Sequence, residues 1–482
     1  MTKQEEIMDI ATKRGFFFPS GEIYLPKAGF WTYGHLGTLL KQNWEREWRN
    51  FFLKLDDNYY EIDDVNILPL EVFKNSGHLE HFTDPLTECK KCHFRFRADE
   101  LIEDALNKSV QGLTEKQLDE LVKKNNLKCP RCNSELLPVK LFNMMFEVKV
   151  GATGNEIMYL RPETAQSPYL SFKREFSALR EKLPMGLAVI GKAFRNEISP
   201  RQGFFRLREF TQAELQIFFK EEDIEKAKIT NYNLSIASEN SRKDIPATKL
   251  KLPKLYIYHL IKIQEFYLNV LKIPKEKFRF RELDEKERAF YNKIHYDIEI
   301  YLETLNGWKE MGGEHFRGEH DLKGHGISIN IEGKNTIPNV LELSFGVDRN
   351  IWALLDTFYV KEKERNLFKF PNNLAPIKVA IFPLVNKDKL PEKATEIYEN
   401  IKNDFKTFYD NKGSIGKMYR RADEVGVPFA ITIDHTTLKN STVSIRDRNT
   451  MKQIRVKISK LKEVLKQLLK GEKLLKFGKY IN

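Results

Sequence analysis

Two short cysteine repeats constrain this chain more than any other feature of its sequence. The segments CKKC and CPRC hold all four cysteines of the 482 residues, and 36 residues separate the two pairs. Two C-x-x-C turns can enclose one tetrahedral Zn²⁺, because each turn directs two thiolates to the same side of the metal. Two disulfides are one alternative, which a reducing compartment disfavours. A dithiol redox motif is the other, and it would not need a second matching pair. We therefore predict a structural Zn²⁺ bound by Cys89, Cys92, Cys129 and Cys132.

Length and composition predict a folded protein with several domains. The chain exceeds what one hydrophobic core usually supports, and about 150 residues per domain gives roughly three units. Its 41% hydrophobic and 31% charged residues exclude wholesale disorder. The net charge of +12 suits a polyanionic partner such as nucleic acid, although a solvated lysine-rich surface gives the same balance.

The sequence shows no targeting or membrane signal. No run of about 18 apolar residues occurs, and the first fifteen residues contain acids and no unbroken apolar core. We therefore expect no membrane segment and a cytoplasmic location.

A long antiparallel hairpin is predicted between residues 186 and 219. GLAVIGKAFRNE (186–197) and EFTQAELQIFF (209–219) have the pattern of strands, and the loop ISPRQGFFRLR between them carries three arginines. Because side chains alternate between the faces of a strand, Arg195 and Glu197 share one face, as do Phe210, Gln212 and Glu214. One face of this sheet is therefore expected to be polar and charged.

A strand that runs directly into a helix is predicted in PNVLELSFGVDRNIWALLDTF (338–358). The apolar residues at alternate positions face one side of the strand, so Glu342 and Ser344 share the other. Gly346 begins a helix whose apolar residues recur at helical spacing. Arg349 lies in its first turn, among backbone amides suited to anions, so the unit is expected to direct an arginine at a phosphate.

The pattern changes after Pro371. IKVAIFPL (377–384) and FAITID (429–434) are predicted strands, and 391–408 is a predicted helix between them. Strands that alternate with helices indicate a separate α/β domain. Upstream, the Lys- and Glu-rich stretch of about 220–305 contains the apolar run LYIYHLIKIQEFYLNVL. It indicates an insertion or a helical cover on the upstream sheet, with a partner surface as the alternative.

The hairpin and the strand–helix unit together resemble motifs two and three of the class II aminoacyl-tRNA synthetases. The hairpin has R-x-x-x-F-x-x-x-E at Arg206, Phe210 and Glu214, and SFGVDR follows in the later unit. Further segments resemble the glycyl-tRNA synthetase family, whereas 25–37 and 307–325 depart from its pattern. The similar segments are ILPLEVFKNSGHLEHFTDPL (67–86), RADELIE (97–103), FNMMF (142–146), YLRPETAQ (159–166) and SIGKMYRRADEVGVPFAITID (414–434).

The resemblance implies a fold and a set of partners. Residues 1–370 would form an α+β class II catalytic domain, an antiparallel sheet flanked by helices, with the zinc module inserted at about 86–140. The resemblance does not cover the stretch of about 220–305, which we expect to be a helical insertion from its own pattern. Residues 371–482 would form an α/β anticodon-binding domain. A homodimer would use ATP and Mg²⁺ to activate glycine and attach it to the 3′ end of tRNA(Gly).

The resemblance also implies site residues. Arg195 would contact the α-phosphate and the reacting carboxylate, Arg206 the γ-phosphate, and Phe210 would stack on adenine; Arg195, Glu197 and Arg349 are the predicted catalytic residues. The predicted ATP-binding residues are Arg195, Asn196, Glu197, Phe205, Arg206, Phe210, Glu310, Met311, Gly346 and Arg349. The predicted substrate-binding residues are Arg97, Glu163, Phe210, Gln212, Glu214, Arg317, Glu342, Ser344 and Gly346.

Other interpretations of these residues stay open at the level of sequence. Arg195 and Glu197 could form a cross-strand salt bridge, Phe210 could be a core aromatic, and each acid could belong to a structural ion pair. The chain could also be a threonyl, prolyl or histidyl enzyme of the same class, or a non-catalytic nucleic-acid-binding protein with this fold. RPETAQ together with ELSFG favours glycine.

Overall fold

The computed structural model describes residues 1–481 except 109, 111, 201, 202, 240, 286 and 290. Arg201, one of the three arginines in the predicted hairpin loop, therefore lies outside the described residues. Within the described ranges, no helix is both long and apolar enough to cross a membrane.

A nine-stranded sheet forms the centre of the larger, N-terminal part of the chain. In chain order its strands are β1 Tyr59–Glu61, β2 Met185–Phe194, β3 Glu209–Phe219, β4 Asn233–Ser238, β5 Ser241–Pro246, β6 Phe278–Glu282, β7 Ile294–Leu302, β8 Gly307–Gly318 and β9 Asn339–Gly346. Within the sheet they lie in the order β5-β4-β6-β7-β8-β9-β3-β2-β1, and neighbours are antiparallel except for the pairs β4–β6 and β2–β1.

The predicted hairpin is confirmed. Strands β2 and β3 pair along their whole lengths, from Met185 opposite Phe218 to Phe194 opposite Glu209. Strand β2 ends at Phe194, three residues earlier than predicted, but the Arg195 N–H still donates to the Arg208 carbonyl at 2.9 Å. The backbone thus holds Arg195 at the end of the hairpin, beside the sheet.

Helices bury one face of the central sheet. On helix His35–Phe52 the aromatic residues Trp44 and Trp48 are one turn apart, and both pack against Phe345 of β9. The predicted apolar face of β9 is confirmed, because Leu341 and Leu343 join Phe345 in this core and leave the opposite face free for polar side chains. The helices of this part are Lys3–Arg14, His35–Phe52, Leu70–Asn75, His78–His81, Gln166–Ala178, Lys254–Glu265, His320–Gly324 and Val347–Phe358.

The prediction for about 220–305 is confirmed for its apolar run and wrong for the rest of the stretch. The apolar run forms helix Lys254–Glu265, which a π-helical turn continues to Val270, whereas strands β4 to β7 extend the central sheet beyond β8. Charged residues of these strands are cross-strand partners: Arg279 on β6 lies opposite Glu299 on β7 and donates to it at 2.6 Å. Apolar residues alternate with the charged ones along both strands, and those such as Phe280 on β6 and Ile298 on β7 are buried.

The cysteines belong to a small unit beside the hairpin. Its helices enclose a core of their own that includes Ile102, Leu118 and Val122. It is made of strands Thr83–Glu88, Arg95–Arg97 and Lys140–Asn143 and helices Ala98–Leu106 and Glu115–Lys124. A second small sheet next to it consists of Ile67–Pro69, Phe146–Val150 and Glu156–Leu160.

The predicted alternation of strands and helices after Pro371 is confirmed. A six-stranded mixed sheet has the parallel strands in its first half and a meander in its second. The strands are Val379–Pro383, Thr407–Tyr409, Phe429–Ile433, Thr442–Asp447, Gln453–Lys457 and Tyr480–Ile481, and the helices are Leu390–Ile401, Ile415–Glu424, His435–Asn440 and Leu461–Leu469.

One face of the C-terminal sheet shares its core with the larger, N-terminal part of the chain. Ala380 and Phe382 of the first strand, together with Met418 of helix Ile415–Glu424, belong to the same buried cluster as Phe368 and Phe370. The opposite face of that sheet has a separate core of its own. The sequence pattern suggests two independent units, but the packing joins them.

Replacing Phe370 by Ala is expected to destabilise both parts together. This ring is fully buried and stacks on Phe368 with centroids 5.0 Å apart, so its removal leaves a cavity in the shared core. We expect urea unfolding to show a loss of about 3–5 kcal/mol. Leu475→Ala, which shortens a side chain 57% exposed, is the control and should change little. A loss below about 1 kcal/mol for Phe370→Ala would show that the two parts do not share a core.

Candidate active site

A cleft lies on the polar face of the central sheet, where β3, β8 and β9 meet the N-terminus of helix Val347–Phe358. Its walls are Arg195, Glu197, Phe205, Arg206, Leu207, Phe210, Thr211, Gln212, Glu310, Gly312, Ser344, Gly346, Asp348 and Arg349.

Arg195 faces the cleft and forms no salt bridge with Glu197, so the cross-strand pair that was the alternative interpretation is absent. Its Nε donates to the Pro162 carbonyl at 3.1 Å, and its guanidinium lies 5.3 Å from the ring centroids of both Phe82 and Phe210. Glu197 pairs instead with Arg206 at 2.8 Å. Phe210 is only half-buried and lines the cleft, which contradicts its interpretation as a core aromatic.

Arg349 also lines the cleft. Its Nη1 is 2.9 Å from Glu310 Oε1, and its guanidinium lies 5.4 Å from the Phe205 ring centroid. Burial disfavours the ionised form of Glu310, but the charge of Arg349 outweighs it and lowers the pKa of this carboxyl. The lining of the cleft thus combines three guanidinium groups, which can meet a polyanion, with three carboxyl groups: Arg195, Arg206, Arg349, Glu197, Glu310 and Asp348.

Two residues that sequence reasoning missed shape this wall. A Cβ at Gly312 would lie 2.0 Å from the Ser344 carbonyl, so only glycine allows β8 and β9 to approach this closely. Asp348 is buried and accepts hydrogen bonds from the Tyr33 hydroxyl and the Thr211 N–H, which ties the start of the helix to β3. Asp348 lies within SFGVDR, so the motif itself was the signal that could have found it.

Beneath the cleft, Glu214 is held by three donors. It lies opposite Ser344, whose hydroxyl donates to it at 2.9 Å, and the Thr164 hydroxyl donates at 2.7 Å. Gln212 Nε2 donates at 2.9 Å. Burial, together with the charges of Glu342 and Glu163, raises the pKa of Glu214 to about 8. At neutral pH without a ligand this carboxyl is therefore largely protonated.

Arg317 supplies positive charge to the same buried cluster. It makes a two-point contact with Asp321 at 2.7 and 2.8 Å, and its Nη1 donates to Glu342 at 3.0 Å. A third acid, Glu163, is 3.6 Å from its Nη2. Burial disfavours the charge of Arg317, but Asp321 and the other acids raise its pKa well above the usual value. The guanidinium therefore stays charged inside the protein.

The acids of this cluster are not equivalent. Burial raises the pKa of Glu342, against the charge of Arg317, although Gln216 donates to the carboxylate at 2.8 Å. Glu163 lies 3.3 Å from His78 Nε2, and the charges of His78 and Arg317 overcome burial and lower its pKa. The cluster thus combines ionised and protonated carboxyls within one buried network.

Most of the predicted ATP and substrate residues line the cleft or the cluster beneath it, but three do not. Arg97 belongs to the cysteine unit, where it pairs with Asp84 at 3.1 Å and with Asp99. Asn196 contributes its backbone N–H to the Met144 carbonyl at 2.7 Å. The Met311 side chain is fully buried and away from the cleft, at an irregularity where β7 and β8 shift register. The residues of the cluster that the sequence analysis missed are His78, Thr164, Tyr169, Gln216 and Asp321.

The four cysteines converge on one point, as expected. Their sulfurs all lie within 4.8 Å of one another, with Cys89–Cys132 at 3.4 Å and Cys92–Cys129 at 3.6 Å. These pairs are too far apart for S–S bonds, so the disulfide alternative fails. A tetrahedron with Zn–S bonds of about 2.3 Å has edges of about 3.8 Å, close to the observed distances. The donor set therefore fits a zinc ion.

Comparison with known proteins agrees with this geometry. Residues 146–358 match the family described as the tRNA synthetase class II core domain (G, H, P, S and T), and residues 378–468 match the family described as the anticodon binding domain. The curated relatives include a glycine–tRNA ligase from Thermococcus gammatolerans, 37% identical over 98% of this chain and 99% of the relative. A glycine–tRNA ligase from Methanocaldococcus jannaschii is 36% identical over 97% of this chain and 99% of the relative.

Both relatives share more than a third of their residues with this chain over nearly the full length of each protein, and the class II core match covers β2, β3 and β9 around the cleft. The chain therefore belongs to the glycyl-tRNA synthetase family of the class II aminoacyl-tRNA synthetases.

Proposed function

We propose that this enzyme activates glycine with ATP and transfers the glycyl group to the 3′-terminal adenosine of tRNA(Gly). The observation that carries the proposal is the contact between two sites: Ser344 and Gln212 line a cleft that also contains arginines, and both donate to Glu214 of a buried cluster of acids. The first suits a triphosphate, and the second suits the ammonium of a small amino acid. Family membership supports this pairing of substrates.

Arg195 and Arg349 would act on ATP from opposite sides. The glycine carboxylate attacks the α-phosphorus, an acyl-phosphate bond forms, and pyrophosphate leaves. No side chain need become a nucleophile, so the enzyme contributes position and charge. Arg195 would stabilise the charge that develops on the α-phosphate, Phe210 would stack on adenine, and Arg206 would reach the γ-phosphate.

Mg²⁺ is proposed as the metal that accompanies ATP. Glu310 is the carboxylate of β8 that lines the cleft beside Arg349, and Mg²⁺ in nucleotide sites is commonly held by one or two carboxylates plus phosphate oxygens. The ion would neutralise charge on the phosphates.

The buried acids would select the amino acid. Glycine offers an ammonium, a carboxylate and no side chain, so acids can surround its amino group while nearby atoms fill the space beside the α-carbon. Glu214, Glu342 and Glu163 lie in this cluster, with Ser344 between the cleft and Glu214. An ammonium beside Glu214 would stabilise its ionised form and lower its raised pKa.

The remaining partners follow from the other parts of the chain. We propose that residues 371–482 bind the anticodon arm of tRNA(Gly), that two copies form a homodimer, and that a reducing cytoplasm keeps the four thiols available for zinc. The zinc would have a structural role, because four thiolates leave no open coordination position.

Arg195→Ala is expected to reduce glycine-dependent exchange of pyrophosphate into ATP by at least about a hundredfold, since removal of one preorganised donor costs about 2.7–4 kcal/mol. The control is Lys192→Ala, which removes a cation from the same strand where it pairs with the exposed Glu209 at 3.2 Å. It should retain near-parental exchange. An Arg195→Ala variant as active as the control would contradict the assignment of the hairpin.

The rate of glycine activation is expected to rise with pH between 7 and 8. Glu214 must lose its proton to hold an ammonium. Because its pKa is about 8, its ionised fraction grows roughly fivefold between pH 7 and pH 8. The measurement is the pH profile of kcat/KM for glycine. Glu214→Gln should have a low kcat/KM for glycine that does not rise with pH in this range. A flat profile of the parent enzyme would argue against Glu214 as an ammonium ligand.

Purified protein is expected to hold one Zn²⁺ per chain. The four sulfurs are already close to a tetrahedral arrangement, and structural zinc contributes on the order of 10 kcal/mol to ordering such units. Metal analysis should give a ratio of zinc to protein chain near one, and the double variant Cys89→Ser, Cys129→Ser should bind no zinc. Zinc retained in that double variant would place the metal elsewhere.

A further inference from the structure

Two histidines lie beside the acid cluster, and the proposed reaction gives them no role. His295 on β7 and His315 on β8 are directly opposite each other in the sheet, with ring centroids 4.0 Å apart. His315 is also opposite Glu342 of β9, and its Nε2 is 3.6 Å from Glu342 Oε1. The pair therefore borders the cluster proposed to bind the amino group of glycine.

Both imidazoles lean over Gly313. A Cβ at this position would lie 2.7 Å from His315 Nε2 and 3.0 Å from His295 Nε2, so a larger residue here would displace the imidazoles. Gly313 is opposite Ser344, whose hydroxyl donates to Glu214. The space above Gly313, next to Ser344, is thus filled by ring atoms of the two histidines.

Polar neighbours fix the positions of both rings. Asn292 Nδ2 lies 3.0 Å from His315 Nδ1, and His295 Nε2 lies 3.1 Å from Asp297 Oδ1. The His315 side chain is only 14% exposed. Burial and the nearby charge of His295 lower the pKa of His315, so its ring is neutral. Its contribution at this place is volume rather than positive charge.

We propose that His315, supported by His295, closes the amino-acid pocket beside the α-carbon and thereby determines specificity for glycine. The inference rests on the proposed function and deepens it by naming the group that excludes a β-carbon. His315 shares its sheet face with Ser344 and Glu342, so an ammonium held by the acids places the α-carbon next to the imidazole. A methyl group on that carbon would overlap with ring atoms that Asn292 and His295 hold in place. Overlap with fixed atoms rejects a larger substrate more strongly than the loss of a contact rejects a smaller one.

The test compares kcat/KM for glycine with kcat/KM for alanine in pyrophosphate exchange by the full-length enzyme. His315→Ala removes the ring, and the ratio of glycine to alanine should fall at least tenfold. His315→Phe restores a ring of similar size without its nitrogens, and its ratio should stay within threefold of the parent. His435→Ala is the matched control, because it removes an exposed imidazole from the C-terminal part of the chain and should leave both values unchanged.

The outcomes separate this inference from the proposed function. A parent that does not prefer glycine overturns the proposed function itself, whatever the variants do. A parent that prefers glycine, with a His315→Ala variant of equal preference, overturns the role of His315 alone. Should His315→Ala fail to fold, His315→Ser removes the same ring while keeping a polar group, and the same fall in the ratio is expected. A His315→Phe variant as unselective as His315→Ala would show that hydrogen bonding, not volume, sets the preference.

Discussion

The ion pair between Arg317 and Asp321, extended to Glu342 and Glu163, is the interaction on which the rest of the site depends. Several carboxyls cannot be buried together unless a cation and hydrogen-bond donors compensate them, because charge is costly to remove from water. Arg317 is itself fully buried and contacts two of these acids directly. The cluster can therefore lie beneath the cleft with its shape fixed before any substrate arrives, which is what recognition of a ligand with no side chain requires.

The local parts of this arrangement could be predicted from the sequence because they follow from alternation along single strands. Parity placed Glu214 on the polar face of β3 and Glu342 with Ser344 on the polar face of β9, and the pairing of the two strands brings these faces together. The two C-x-x-C turns likewise predicted convergence of the cysteines, since spacing within each turn fixes half of the ligand set. Arg195 and Arg349 were found through their motifs, and both line the cleft.

What the sequence could not provide depends on partners far apart in the chain. Arg279 and Glu299 lie in a stretch rich in charged residues, and only the register of β6 and β7 makes them a buried pair, so the strands of this stretch were not predicted. The core shared by Phe370 and Phe382 was missed for a related reason, because each lies in a segment that has a plausible core of its own. His295 and His315 are twenty positions apart and are brought together only by the hairpin of β7 and β8.

Selection of glycine by a preformed cluster of buried acids is tested most directly by pyrophosphate exchange of the unaltered enzyme with each of the twenty amino acids in turn. We expect exchange with glycine and, for every other amino acid, a rate lower by about a hundredfold or more, since each carries a β-carbon or a larger group. Exchange with alanine, serine or threonine at a rate equal to that with glycine would contradict selection by this cluster.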